Sequence, residues 1–230
     1  MNEKQLQKIL DKHRKFLNNE PGGEQADFTD ADLCGNNFDG ADLRNAIFRR
    51  ADLSAASLFK ANLRFADLSE ADLTNANLKK STCRNANIRY ADITGADLSE
   101  ADLCHADLAY TSMIRTNASC AYMRDADLRH AELNDANLFG ANLGFANLTN
   151  ADFTRANLEN ADVNQAIFNI WAGIAKASIG TEQAKDLLWF ILSIVKHSPG
   201  VDEKLKKEMF SKNLLAIANR SQNAATYGKL

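Results

Sequence analysis

The sequence predicts an all-β solenoid, a quadrilateral β-helix of about seven coils with an α-helical cap at each end. A large apolar residue occupies almost every fifth position from Phe28 to Phe168, and Leu fills 17 of these 29 central positions. Two residues before each centre the residue is Ala at 25 of 29 positions, and the residue between them is Asp, Asn or Glu at 23. No insertion or deletion breaks this register over residues 26–168.

A five-residue period fits neither regular secondary structure. In an α-helix the central Leu would move by ~140° per repeat and visit every face, and in a flat strand it would alternate sides. A square coil returns the backbone to the same orientation if each pentapeptide makes one side and one corner. Leu and Ala then point inward and the other three residues point outward. With coils stacked ~4.8 Å apart, the repeat makes a rod roughly 35 Å long.

The repeat segments ADLSEADLTNANL and ANLFGANLGFANLTNADF resemble the pentapeptide repeat family, and the resemblance covers 143 of the 230 residues. It implies a right-handed quadrilateral β-helix. It also implies two functional expectations, because some members of the family bind DNA gyrase as DNA mimics and dimerise through C-terminal elements. This sequence lacks the insertion loops that some of those members carry.

Both flanks of the repeat are predicted to be caps, because a stacked coil exposes apolar residues and unpaired backbone at its ends. Residues 1–25 hold a capping helix (2–17) and a Pro-Gly-Gly joint, and residues 169–230 hold two further helices, about 181–197 and 202–219. The apolar side of the first helix is expected to carry Leu6, Ile9, Leu10, Phe16 and Leu17.

The segment LLWFILSIV is apolar nearly all round, which fits either an intramolecular cap or a homodimer interface. The candidate interface residues are Trp171, Leu188, Trp189, Ile191, Leu192 and Val195.

Residues 20 apart should stack on one side of the coil, which defines four faces. Face one begins at centre Phe28, face two at Leu33, face three at Phe38 and face four at Leu43. Face two carries an acidic ladder and a net charge of −5, and face four, opposite, carries an arginine ladder and nets to zero. The acidic ladder is Asp32, Asp52, Asp72, Asp92, Glu132 and Asp152, and the arginine ladder is Arg44, Arg64, Arg84 and Arg124.

The acidic ladder leaves two interpretations open. A duplex as long as the rod carries about 20 phosphate charges, at one per ~1.7 Å, and the repeat holds 21 acidic residues but also 13 basic ones. Only face two could therefore imitate a row of phosphates. Alternatively, Asp or Asn before each centre serves the turn of its own repeat.

Outward aromatic residues suggest a protein partner, although isolated surface aromatics need no function. Tyr90 and Tyr110 should stack on adjacent coils. The remaining candidates are Phe59 and Phe139 on face three and Phe65 and Phe145 on face four, the latter pair beside the arginine ladder.

Residues 111–125 form the weakest coil, because Thr111 and Thr116 replace inward Ala and Ala118 replaces inward Leu. Met113 and Met123 can fill the space, or the coil can bulge.

The sequence does not favour an enzyme, a cofactor or a metal site. His13, His105, His130 and His197 lack ligand spacing, Cys104 and His105 are expected to diverge outward, and a convex rod offers no enclosed pocket. The four cysteines are read as free thiols, and no signal peptide or membrane span is evident, so we expect a cytoplasmic protein. Three functions remain: a protein-binding scaffold or inhibitor, a DNA mimic acting on gyrase or another DNA-handling protein, and a structural rod. Direct binding of nucleic acid or membrane is not expected.

Overall fold

The computed structural model describes residues 1–167. Helix α1 spans Glu3–Leu17. Asn2 is its N-cap: the Asn2 side chain accepts a hydrogen bond from the Gln5 amide at 2.9 Å, and the Gln5 side chain accepts one from the Asn2 amide. This reciprocal capping box satisfies two amides that the helix itself leaves unpaired. The predicted second and third helices and the candidate dimer residues lie outside the described residues.

Residues 27–167 form the predicted coil of 20 residues per turn. Every fifth residue pairs in parallel with the residue 20 positions later, from Asp27 with Ile47 to Asn147 with Ile167, and the 25 bridges continue without a gap. Each side of the coil contributes one bridged residue, which pairs with the equivalent residue of the next coil. The β-structure is therefore a stack of single parallel bridges without extended strands. Four pentapeptides therefore close one coil, as the five-residue period predicts.

The interior is the predicted column of large apolar residues and alanines. No centre from Phe28 to Leu158 is more than 4% exposed. Phe28 and Phe48 stack with ring centroids 4.9 Å apart, and Phe38 meets both edge-on. Since burial of such side chains is the main favourable term in folding, this column holds the coils together.

Each corner is a turn with a left-handed residue. All 28 residues at every fifth position from Asp30 to Gln165 have φ between +53° and +69°. The next amide donates back to the preceding centre, for example from Ala31 to the Phe28 carbonyl at 3.0 Å. A positive φ at the third residue characterises a type II turn. Since the left-handed conformation is unfavourable for residues with a Cβ, most of all β-branched ones, it explains why no Val, Ile or Thr occupies these corners.

Helix α1 lies against the first coil. Leu6 and His13, seven residues apart on one side of the helix, are its two buried residues. His13 Nδ1 accepts the Ala26 amide hydrogen at 3.0 Å, and the chain's terminal amine donates to the Asp32 carbonyl at 2.7 Å. The expectation for Phe16 was wrong: it is 38% exposed and its ring stacks on His13, which takes the inward position.

The weak coil keeps the regular path. Thr111 and Thr116 are buried, and their hydroxyls donate to the Leu108 and Ile93 carbonyls, each at 2.7 Å. The substituted centres of this coil are fully buried and its parallel bridges are unbroken, so these residues pack without a bulge.

Candidate protein-binding surfaces

The acidic ladder of face two is in register. Asp32, Asp52, Asp72 and Asp92 are bridged in sequence, one per coil. Each carboxylate also serves its own turn, because its Oδ1 accepts the amide two residues later; at Asp52 this amide is that of Ser54, at 2.9 Å. The Ser54 hydroxyl and amide hold the pKa of Asp52 below its usual value. These carboxylates therefore accept hydrogen bonds within the turns of their own repeats, as one of the two interpretations predicts.

The acidic ladder has a lower charge density than the phosphates of a DNA duplex. Its first four coils hold four carboxylates and no basic residue on face two, at one charge per ~4.8 Å. A duplex carries one per ~1.7 Å of axis, about three times as many. Further along the same face Arg155 pairs with Asp135 at 2.5 Å, which reduces the negative charge there.

The arginine ladder of face four is largely neutralised by neighbouring carboxylates. Arg44 pairs with Asp42 at 2.7 Å, Arg84 with Asp102 at 3.2 Å and Arg124 with Asp125 at 3.3 Å. Arg64 makes no ion pair within residues 1–167. The reason is its surroundings: the positions equivalent to Asp42 and Asp102 hold Asn62 and Thr82, which carry no charge.

Phe65 and Phe145 are corner residues between face four and face one, at φ of +59° and +61°. Phe65 is 59% exposed, and no ring or cation contact to it occurs in the described part of the chain. Phe145 is 39% exposed, and the Arg124 guanidinium lies over its ring at 4.4 Å.

Tyr122 on face four is 55% exposed, and it was not among the aromatic residues predicted to face outward. It stands where the repeat normally places Asp or Asn, and that departure is the signal that could have revealed it.

Tyr90 and Tyr110 stack as predicted, with ring centroids 5.1 Å apart, and His130 continues the stack at 4.6 Å. Arg89 lies over both tyrosine rings and donates to the Tyr90 hydroxyl at 3.2 Å. Tyr90, Tyr110 and His130 therefore contact one another across adjacent coils, and aromatic pairs of this kind are favourable. The third member, His130, was not predicted; its spacing of 20 from Tyr110 is the signal.

Phe59 and Phe139 do not form one patch. They share a column on face three but are four coils apart, with Lys79, Ser99 and Ser119 between them. The candidate aromatics thus lie on three separate surfaces: face three, the corner between faces four and one, and the corner between faces one and two.

The described residues offer little reactive chemistry. Within residues 1–167 no group of three His, Cys, Asp or Glu side chains could hold a metal ion, and no helix could span a membrane. The four thiols are free, and burial raises the pKa of Cys83 to about 12. Cys104, expected to face outward, is buried, because the next coil covers it and places the Tyr122 carbonyl 3.9 Å from its Sγ. A buried thiol with raised pKa is a poor nucleophile.

The chain belongs to the pentapeptide repeat family. The family model matches eight copies, over residues 26–64, 66–103, 96–135 and 131–169. Family membership establishes the class of fold, a right-handed β-helix, and such proteins are generally non-catalytic.

Three solved structures illustrate this likeness. A pentapeptide repeat protein from the thylakoid lumen of Arabidopsis thaliana is 26% identical, with 60% of this chain and 76% of that chain covered and a TM-score of 0.41. HetL, involved in heterocyst differentiation regulation in the cyanobacterium Nostoc, is 25% identical, with 72% and 92% covered and a TM-score of 0.28. QnrB1, a plasmid-mediated fluoroquinolone resistance protein, is 17% identical, with 73% and 97% covered and a TM-score of 0.36. No curated protein matches the chain.

Proposed function

We propose that this chain is a non-enzymatic protein-binding solenoid, a scaffold or inhibitor, and that Arg64 and Phe65 are its principal contact. The observation that carries the proposal is the exposed aromatic ring of Phe65 beside an arginine with no ion pair in the described residues. A partner could bury both side chains, and neither would first have to leave a ring, cation or ion-pair contact within residues 1–167.

Phe65 supplies the apolar half of the contact. The Phe65 ring is 59% exposed and stacks on no other ring within residues 1–167, unlike the rings of Tyr90 and Tyr110. Aromatic and arginine side chains dominate the binding energy of protein interfaces when a partner removes them from water.

Arg64 supplies the polar half of the contact. Its guanidinium is free to form a bidentate ion pair with a carboxylate of the partner, whereas Arg44 and Arg84 would first have to give up their aspartates. A partner with a carboxylate next to an apolar pocket fits this pair of side chains.

Binding measurements on a partner captured from the native host would test the proposal. We expect Phe65→Ser and Arg64→Ala each to weaken binding by tenfold or more. The matched control is Asn85→Ser, one coil further along the same corner column. Unchanged affinity in both test variants would refute the proposed contact.

Face two supports a second candidate, a DNA mimic that acts on gyrase or another DNA-handling protein. The supporting observation is the run of four carboxylates without a basic residue; its charge density, a third of that of DNA, weighs against it. Replacing Asp52, Asp72 and Asp92 with Asn tests it. Mimicry predicts loss of partner binding in this variant and steep salt sensitivity in the parent, while the Phe65 variant binds normally.

A structural rod that assembles as a homodimer through residues 169–230 is a third candidate, based on their apolar sequence alone. A monomeric mass in light scattering at micromolar concentration would refute it. The cytoplasmic location likewise stays a prediction.

A further inference from the structure

One edge of the solenoid carries two separate aromatic–arginine sites. This four–one edge is the corner column Asn45, Phe65, Asn85, His105, Asp125 and Phe145 together with the adjacent arginine ladder. The first site is Arg64 with Phe65. The second is Phe145 with Arg124 over its ring at 4.4 Å, and exposed Tyr122 lies on the same coil as Arg124.

The two sites lie on one line parallel to the stack. Phe65 and Phe145 occupy the same corner column four coils apart, which is about 19 Å at the spacing of stacked strands. The corner residues between them, Asn85, His105 and Asp125, are polar. The edge therefore presents two apolar contacts with a polar interval, and a straight rod-like element could touch both.

An extended peptide would gain little on this edge. The backbone amides here are already bonded between coils, from Phe65 to the Arg84 carbonyl at 3.1 Å and from Phe145 to the Asn164 carbonyl at 2.9 Å. Peptides that bind as strands derive affinity from free main-chain groups at a sheet edge. An α-helix satisfies its own backbone and binds through side chains alone, so it is the better match.

We propose that one amphipathic α-helix of a protein partner lies along the four–one edge and contacts both sites. This inference rests on the proposed protein-binding function. A rise of 1.5 Å per residue means that apolar side chains 11 or 14 residues apart lie on nearly the same helix side and about 16–21 Å from each other. Such a helix needs a carboxylate near the end that meets Arg64, whose charge is not neutralised within residues 1–167.

Photo-crosslinking of the full chain in its native host tests this arrangement. p-Benzoylphenylalanine is introduced at position 65 or 145, or at position 139 on face three as a control, and the adducts are mapped by mass spectrometry. We expect positions 65 and 145 to label the same partner, within one helical segment, at sites about 11–14 residues apart. Position 139 should leave that segment unlabelled.

The other outcomes separate this inference from the proposed function. Adducts to two different proteins, to one segment at another spacing, or from only one of the two positions overturn the single-helix arrangement and leave protein binding intact. Absence of any adduct at both positions overturns protein binding at this edge as well.

Binding by the captured partner gives a second measurement. If one helix bridges both sites, Phe65→Ser and Phe145→Ser should each weaken that same partner by tenfold or more. If either variant leaves its affinity unchanged, the bridging arrangement is wrong.

Discussion

His13 should make the docking of helix α1 depend on pH. The ring is fully buried, Nδ1 accepts the Ala26 amide hydrogen at 3.0 Å, and Nε2 is buried without a hydrogen-bond partner among the described residues. Burial lowers the pKa of His13 below its ordinary value of 6.5; the Asp42 carboxylate and the Arg44 backbone partly oppose this shift, and the Arg44 guanidinium adds to it less strongly. A proton on Nδ1 would face the Ala26 N–H and abolish their hydrogen bond.

The direction and the size of this pH dependence follow from proton linkage. The docked state favours the neutral ring, whereas the undocked ring binds a proton with a pKa near 6.5, so the undocked state holds more protons at lower pH. The contribution of neutral His13 to the docking of α1 is fully present above about pH 6.5. It declines as the pH falls towards the lowered pKa of the docked state. The free energy of docking changes by at most about 1.4 kcal/mol per pH unit, which is a tenfold change in the opening equilibrium of α1.

Hydrogen–deuterium exchange between pH 5 and 8 measures this effect. After correction for intrinsic exchange, protection of the Ala26 amide should fall with decreasing pH relative to the Leu73 amide in a central coil. His13→Gln should remove the dependence, and His130→Gln, at an exposed site, should retain it. If Ala26 and Leu73 keep a constant ratio of protection across the window, the reasoning is refuted.

Three further predictions concern stability, each measured by chemical denaturation. Phe38→Ala should cost about 3–5 kcal/mol, because it removes a fully buried ring from the aromatic cluster of the first coils; a loss below 1 kcal/mol would contradict the described packing. Gly23→Ala should destabilise α1 docking, because the new Cβ would lie 2.3 Å from the Phe16 amide nitrogen, while Gly35→Asn, in open space at φ +65°, should be nearly neutral. Asp52→Asn should change stability by less than ~0.5 kcal/mol, since the turn acceptor persists, whereas Asp52→Ala should cost about 1 kcal/mol; equal effects would argue against the turn role.

The interior and the register could be predicted because burial acts on every repeat in the same way. The period from Phe28 to Phe168 has one geometry that keeps Leu and Ala inside, and the coil of 20 residues follows from it. The same register placed Tyr90 beside Tyr110 and aligned both charged ladders. Errors arose at single positions that no repeated pattern fixes: Phe16 was expected inward on α1, and Cys104 was expected outward on its coil.

The sequence by itself determined which residues face inward, which columns align and which charges share a face, because these depend only on a period repeated many times. Only the tertiary structure decided that the corners are left-handed, that Arg64 lacks the carboxylate its neighbours have, and that Phe65 is exposed while Arg124 covers Phe145. The corner conformation belongs to the backbone turn of every repeat, whereas the ion pairs and the ring contact depend on side chains that meet within a few ångströms. A repeat consensus does not describe such individual side-chain contacts, whereas the three-dimensional structure gives each of them.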